Sequence, residues 1–456
     1  MNERIETPDP PAAFLEASVW HGSLDRAEAI LAAHPEIASS DIHTAAILGD
    51  DSGVRRFLAL DPGNATAKGG PHGWDALTHL CFSKYLRLHR ARTDGFVRAA
   101  KALLDAGASA KTGFFDESHQ PHPAFESALY GAAGVAHHAE MTRLLLERGA
   151  DPNDGEVAYH SPESDDNAAL KVLVETGKLT GDSLATMLLR KADWHDYEGI
   201  KYLLEHGADP NRMTHWGSTA LHQALRRDNA LENIEVMLDH GADPTLENRS
   251  DGRSAVALAA RRGRGDVIEL FERRRIRIEL RGVERLIAAC ARNDLVSIRS
   301  IAEREGQLVN EVVAEGGKLL AEFAGNGNTD GARHLLDLGV DVRALFKEGD
   351  GYWDIAENST ALHVAAWRAR HATVKFLIDR GAPVNMPDGR GRTPLALAVR
   401  ACVDSFWTER RSPESVKALL HAGASASGVH FPSGYAEVDE LLITACPKSD
   451  QRSSKK

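Results

Sequence analysis

The chain has 456 residues, 43% hydrophobic and 26% charged, which is the make-up of a folded chain with material for two or three ordinary domains or one extended array. Its 66 acidic against 54 basic residues leave a net charge of −12, which argues against general nucleic-acid binding because that requires a basic surface. No apolar run approaches the ~20 residues of a membrane helix, and MNERIETPDPP at the start lacks the apolar core of a signal peptide. The expectation is therefore a cytoplasmic chain without a membrane span.

After a leader, 1–13, one pattern recurs along the chain, and such self-similarity decides the architecture. FLEASVWHGSLDRAEAILAAHPE (14–36) and IHTAAILGDDSGVRRFLALDP (42–62) open it, each reading as two short helical runs. A closing phrase then returns as LLDAGAS (103–109), LLLERGADPN (144–153), LLEHGADPN (203–211), MLDHGADPT (237–245), LLDLGVDV (335–342), LIDRGAPVN (377–385) and LLHAGAS (419–425). An opening phrase stands before several of these: GSTALHQAL (217–225), GRSAVALAA (252–260), NSTALHVAA (358–366) and GRTPLALAV (391–399). Weaker copies keep the frame at 156–177, 186–207, 286–306 and 319–339. Insertions fall near 84–97, 112–124, 344–357 and 404–413, and a polar tail occupies 446–456.

Each phrase has a physical reading. The Thr or Ser of TALH satisfies free N–H groups at a helix start. Small residues next allow close packing, the Leu pair buries a second helix, and the Gly after it takes the left-handed conformation that ends that helix. DPN or PVN turns the chain into a finger. One such unit cannot bury its own apolar face, so units stack.

These phrases resemble those of ankyrin repeats, with the T-P-L-H-x-A-A start and the L-L-x-x-G-A-D-x-N end, in a bacterial type of roughly twelve copies with degenerate members. The resemblance implies an all-α fold: an ankyrin-repeat solenoid of helix–turn–helix units with β-finger loops, one array over 14–445. It implies a scaffold that holds a protein or peptide partner in its concave groove, with no cofactor and a monomeric state. The histidines at 222 and 363 are, in that pattern, structural residues bonded to the finger backbone.

The groove positions implied by the frame are the finger tips, the residue after LH and the two after AA. They place Arg190, Asp193 and Trp194 in one copy, His160 and Glu163 in the copy before it, and Gln223, Arg226 and Arg227 in the copy after it. Arg261 and Arg262 occupy the same sites further on. Fingers add His215 and Trp216, and an earlier one adds Trp74, with His79 following it. Trp20 and Trp367 take the first site after a small-residue pair. Exposed Trp and Arg dominate interface hot spots, so Trp74, His79, Arg190, Trp194, His215, Trp216, Gln223, Arg226 and Arg227 form the expected binding set. The alternative is an atypical enzyme or a receptor for a sugar-like or anionic small molecule. There His160, Glu163 and Asp193 would be the acid–base set and the arginines would clamp the anion. The four cysteines have no zinc or CxxC spacing, and no His/Asp/Glu grouping has metal-ligand spacing, so no metal is expected.

Overall fold

The computed structural model describes residues 9–88, 93–118 and 120–445. The expected leader is described only from residue 9, and the expected tail, 446–456, lies outside the described residues. The chain divides between Asp243 and Pro244 into two compact units.

The first unit is built of short helices packed in pairs, among them Pro10–Ser18 with Leu24–Ala33, Ile42–Ile47 with Asp51–Leu60, and Gly181–Asp193 with Tyr197–Glu205. Pairs then stack. First helices lie on first helices, as Ile42–Ile47 on Ala76–Cys81 and Gly181–Asp193 on Ala220–Arg226. Second helices lie on second helices, as Asp51–Leu60 on Thr93–Asp105. The close approach needs small side chains, and Ala45, Ala46, Ala99 and Ala100 have no exposed surface. Asp41, Asp75, Thr180 and Thr219 each start a first helix by accepting a backbone N–H with the side chain. Gly207, at φ 92, lets the chain leave the helix Tyr197–Glu205 in the left-handed region.

Where the closing phrase ends in Asn, that residue couples its finger to the next. Asn211 Nδ2 donates to the Gly241 carbonyl at 2.8 Å, and Asn211 Oδ1 accepts from the Asp243 N–H at 2.7 Å. Asn153 does the same with the Lys178 carbonyl and the Thr180 N–H, at 3.0 and 2.7 Å.

The second unit repeats the plan. Gly316–Asn326 packs on Ala361–Trp367, which packs on Pro394–Val403, with His371–Asp379 and Glu414–His421 outside them. His363 accounts for its place in the TALH phrase: its Nδ1 pairs with Thr360 Oγ1 at 2.8 Å, and its Nε2 reaches the Arg392 carbonyl of the following finger at 3.2 Å. Asn385 bridges to the Gly423 carbonyl and the Ser425 N–H as its counterparts do.

The insertions fold against the repeats. In the first unit, Gly113–Asp116 pairs antiparallel with Ala124–Ser127 as a hairpin. In the second, the loop after Leu345–Phe346 buries Trp353, and the segment between Val403 and Glu414 buries Trp407. Both tryptophans join Trp367, which is 2% exposed, in an apolar core with Phe346, Val364 and Leu397. Trp367 is thus a core residue. The frame placed it at a groove site because the two loops that cover it lie outside the repeat pattern.

Candidate functional site

The sites expected in the central copies meet in the first unit as one ion-pair network. His160 ends the helix Gly155–His160; its Nδ1 lies 2.9 Å from Glu163 Oε2 and its Nε2 lies 3.3 Å from Glu156 Oε2. Burial favours the neutral ring, but the two carboxylates outweigh it and hold the proton on His160 up to about 9. Burial likewise opposes ionisation of Glu163, and His160 with Arg190 overcomes it and holds that carboxyl below its usual range.

Arg190 forks between Glu163 and Asp193 through its two terminal nitrogens. Its Nε donates to the Tyr159 carbonyl at 3.4 Å, and its guanidinium lies 4.0 Å from the Tyr159 ring centre. Asp193 Oδ1 also accepts from Gln223 Nε2 at 2.5 Å and from Arg227 Nε at 2.7 Å. Three successive repeats are thus tied through Arg190, which reaches back to Glu163, and Asp193, 4% exposed, which reaches forward to Gln223 and Arg227. Arg226 donates to Ser218 Oγ at 2.8 Å.

This arrangement changes the reading of several expected residues. Arg190, Gln223 and Arg227 are committed to Glu163 and Asp193, so they are not the open anion clamp anticipated. The geometry orders the protein instead. His160, protonated at neutral pH, has no lone pair to act as a base there. Asp196 starts the next helix by accepting from the Gly199 N–H at 2.9 Å and pairs with the buried Lys191 at 2.7 Å, while His195 takes a left-handed turn at φ 55. The unusual DWHD run is mostly a helix junction, from which Trp194 projects, 43% exposed.

Trp74 and His79 also differ from expectation. Trp74 is only 7% exposed because Phe114 of the hairpin stacks on it at 4.1 Å and His72 lies against it at 4.6 Å. His79 is fully buried beside His43, with Nδ1 bonded to the Asp75 carbonyl at 3.0 Å. Burial, with His43 nearby, lowers its pKa to about 3. The hairpin that covers Trp74 lies in an insertion outside the repeat frame. In the second unit, Arg261 pairs with Glu284 and Glu315, and Arg262 with Glu322.

The aromatic side chains of these repeats also touch one another, most of them buried (Phe82, Tyr130, Trp74), with Trp216 the exposed one. A run of rings passes from repeat to repeat: Trp74 to Phe114, Phe114 to Phe82 (5.2 Å), Phe82 to Tyr130 (5.7 Å), and Tyr130 to His160 (5.0 Å). It continues through Tyr159 to Trp216 (5.6 Å) and His215 (3.7 Å). Two half-open concavities lie along it. One, of about 530 Å³, is walled by Trp20, His72, Trp74 and Phe114. The other, of about 740 Å³, is walled by Glu156, Tyr159, His160, Thr186, His215 and Trp216. Trp216 stands 42% exposed at its rim. Tyr159 adjoins His160 in the copy EVAYHSPESDD, where its neighbour's place in the frame gave the only sequence signal for it. Phe114 stands in the aromatic insertion FFDESHQPHP (114–123), whose length and rings mark it as a segment beside the groove, whereas Glu126 and Tyr130 gave no signal.

Among the described residues no group of three His, Cys, Asp or Glu side chains is arranged to hold a metal ion, and no helix is long and apolar enough to cross a membrane.

Comparison with known proteins places residues 188–281 and 320–428 in the family "Ankyrin repeats (3 copies)". The chain is similar to Serine/threonine-protein kinase 12 of Arabidopsis thaliana, 38% identical over 85 residues, which are 19% of this chain and 17% of that protein. The chain thus spans less than a fifth of that relative's length. Among solved structures it is similar to the human ASB11 ankyrin repeat domain at 23% identity and a TM-score of 0.38, over 48% of this chain and 91% of that one.

Proposed function

Proceeding from an ankyrin-repeat protein, we propose that the chain is a scaffold whose first unit holds an extended protein or peptide partner against the exposed end of its aromatic run. The observation that carries this is the exposed end of the run: Trp216, 42% exposed, stands beside a half-open concavity walled by Tyr159, His160 and His215, and Trp194 is 43% exposed as well. Rings are preorganised by stacking on one another, so they offer large contact area with little loss of side-chain freedom on binding. Trp216 and Trp194 are the anchors in this reading, because truncating a well-packed Trp is among the costliest changes at an interface. The same reading takes the array as roughly twelve repeats of bacterial type acting as a monomer. It places the protein in the cytoplasm, supported by three buried free thiols, of which burial pushes Cys290 up to about 12 and Cys402 up to about 11.

The test is capture of partners from an extract of the source cells by the wild type and by a Trp194→Ala/Trp216→Ala variant of unchanged circular dichroism. A partner held by the first and lost by the second is expected. If both proteins retain the same set, the groove is not the binding surface.

A further inference from the structure

Within that reading, one acid near the aromatic run is left unmatched. Glu156, Glu163 and Asp193 are balanced by His160, Arg190 and Arg227, three charges against three, which leaves the carboxyl of Glu126. Glu156, 31% exposed on the wall of the larger concavity, has only His160, at 3.3 Å, on one of its oxygens. Close enough for its charge to act on Glu156 is Glu126, which is 2% exposed and whose Oε2 has no hydrogen-bond partner among the described residues. The hairpin register sets Glu126 directly opposite Phe114, so both point to the side on which Phe114 meets Trp74 and Phe82. Once ionised, a buried carboxylate without a donor is costly unless a positive charge comes to it.

We propose that the concavity between Glu156, Tyr159 and Trp216 receives a Lys or Arg side chain of the extended partner. The apolar stem lies along Trp216, and the charged head faces Glu156, whose charge is coupled to that of Glu126. Trp is the ring that attracts a cation most strongly, whereas Tyr159 is already covered by Arg190. The proposal rests on the groove reading above and adds the chemistry of the occupant.

Its pH dependence follows from the groups around Glu126: Asp116 on the paired strand, Tyr130 on the next helix, and Asp154, Glu156 and His160 of the following repeat. Burial first, then Glu156 and Asp116, raise Glu126 to about 7, against the weaker opposing pull of His160. Its charge therefore develops between pH 6 and 8, and capture of a cation strengthens over that range.

The experiment passes a degenerate library of acetylated, amidated octapeptides over the immobilised full chain and sequences the retained pool. The expected result at pH 7.5 is enrichment of Lys or Arg at one position by about fivefold, the strength of a single partly exposed cation–aromatic–carboxylate contact. That enrichment is lost in Glu156→Gln, and its rise between pH 6 and 8 is lost in Glu126→Gln, with circular dichroism of both variants unchanged. A pool that depends on Trp216 but is enriched in apolar or acidic residues overturns the cation site and leaves the groove reading standing. If no retained pool depends on Trp216, both readings fall.

Discussion

The two units use the same side chains to opposite ends. In the first, acids hold the arginines and two tryptophans stay open: Arg190 and Arg227 converge on Asp193, while Trp216 and Trp194 remain exposed. In the second, aromatics hold an arginine. The Arg368 guanidinium is buried 4.6 Å from the Trp353 ring and 5.4 Å from Trp407, and Arg400 lies 4.6 Å over Trp367. There it is the acid that sits near the surface, Asp354, ringed by Arg390, Arg392 and Arg400. Burial opposes that carboxyl's charge, and the three arginines still hold its pKa low. The difference comes from where insertions fold. Two loops close over Trp367 and turn a groove position into core, whereas in the first unit the hairpin closes over Trp74 and stops short of Trp216.

If that contrast is right, removing an aromatic should cost stability in the second unit and binding in the first. The largest effect is expected for Trp367→Ala. Emptying its place under Trp353 and Trp407 should lower unfolding free energy by about 3–5 kcal/mol in urea titration, leaving peptide capture intact. Asp193→Ala comes next, at about 3 kcal/mol, because it strands Arg190 and Arg227 against each other in a nearly buried setting. An unchanged urea midpoint would show the network to be incidental.

Glu126→Gln should act in the other direction. The unfolded carboxyl releases its proton near 4.5 and the folded one only near 7, so the folded state binds more protons in that window. Wild-type stability therefore falls as pH rises from 4.5 to 7, and the loss is complete above it. The variant should be more stable by on the order of 2–3 kcal/mol at pH 8 and no different at pH 4. Parallel stability curves at both pH values would place Glu126 in contact with water. The smallest change in stability, under about 0.5 kcal/mol, is expected for Trp216→Ala, though it should weaken peptide capture about thirtyfold. A large stability loss there would make Trp216 a core residue and erase the contrast between the units.

The repeat phrases made the helix pairs legible, because Gly207, Asn211 and the Thr219–His222 pair each answer a local demand of the backbone. They also brought Arg190, Asp193 and Gln223 to neighbouring positions. What the phrases could not tell is whether such residues face a ligand or one another, since that depends on side chains some thirty positions apart, as Glu163 is from Arg190. Trp74, His79 and Trp367 were misjudged for a related reason. Phe114, Trp353 and Trp407, which cover two of them, sit in segments with no periodicity to fix their direction. His79 was placed by the residue order of a helix and not by its neighbour His43.

The asparagines that clasp one finger to the next have a consequence for how the first unit unfolds. Each amide both donates to one repeat boundary and accepts from it, a double duty that Asp and Ala cannot perform. In a one-dimensional stack such links are the nearest-neighbour coupling that sets cooperativity. Weakening Asn153 or Asn211 should therefore broaden the unfolding transition, letting repeats on either side of the lost clasp melt out of step.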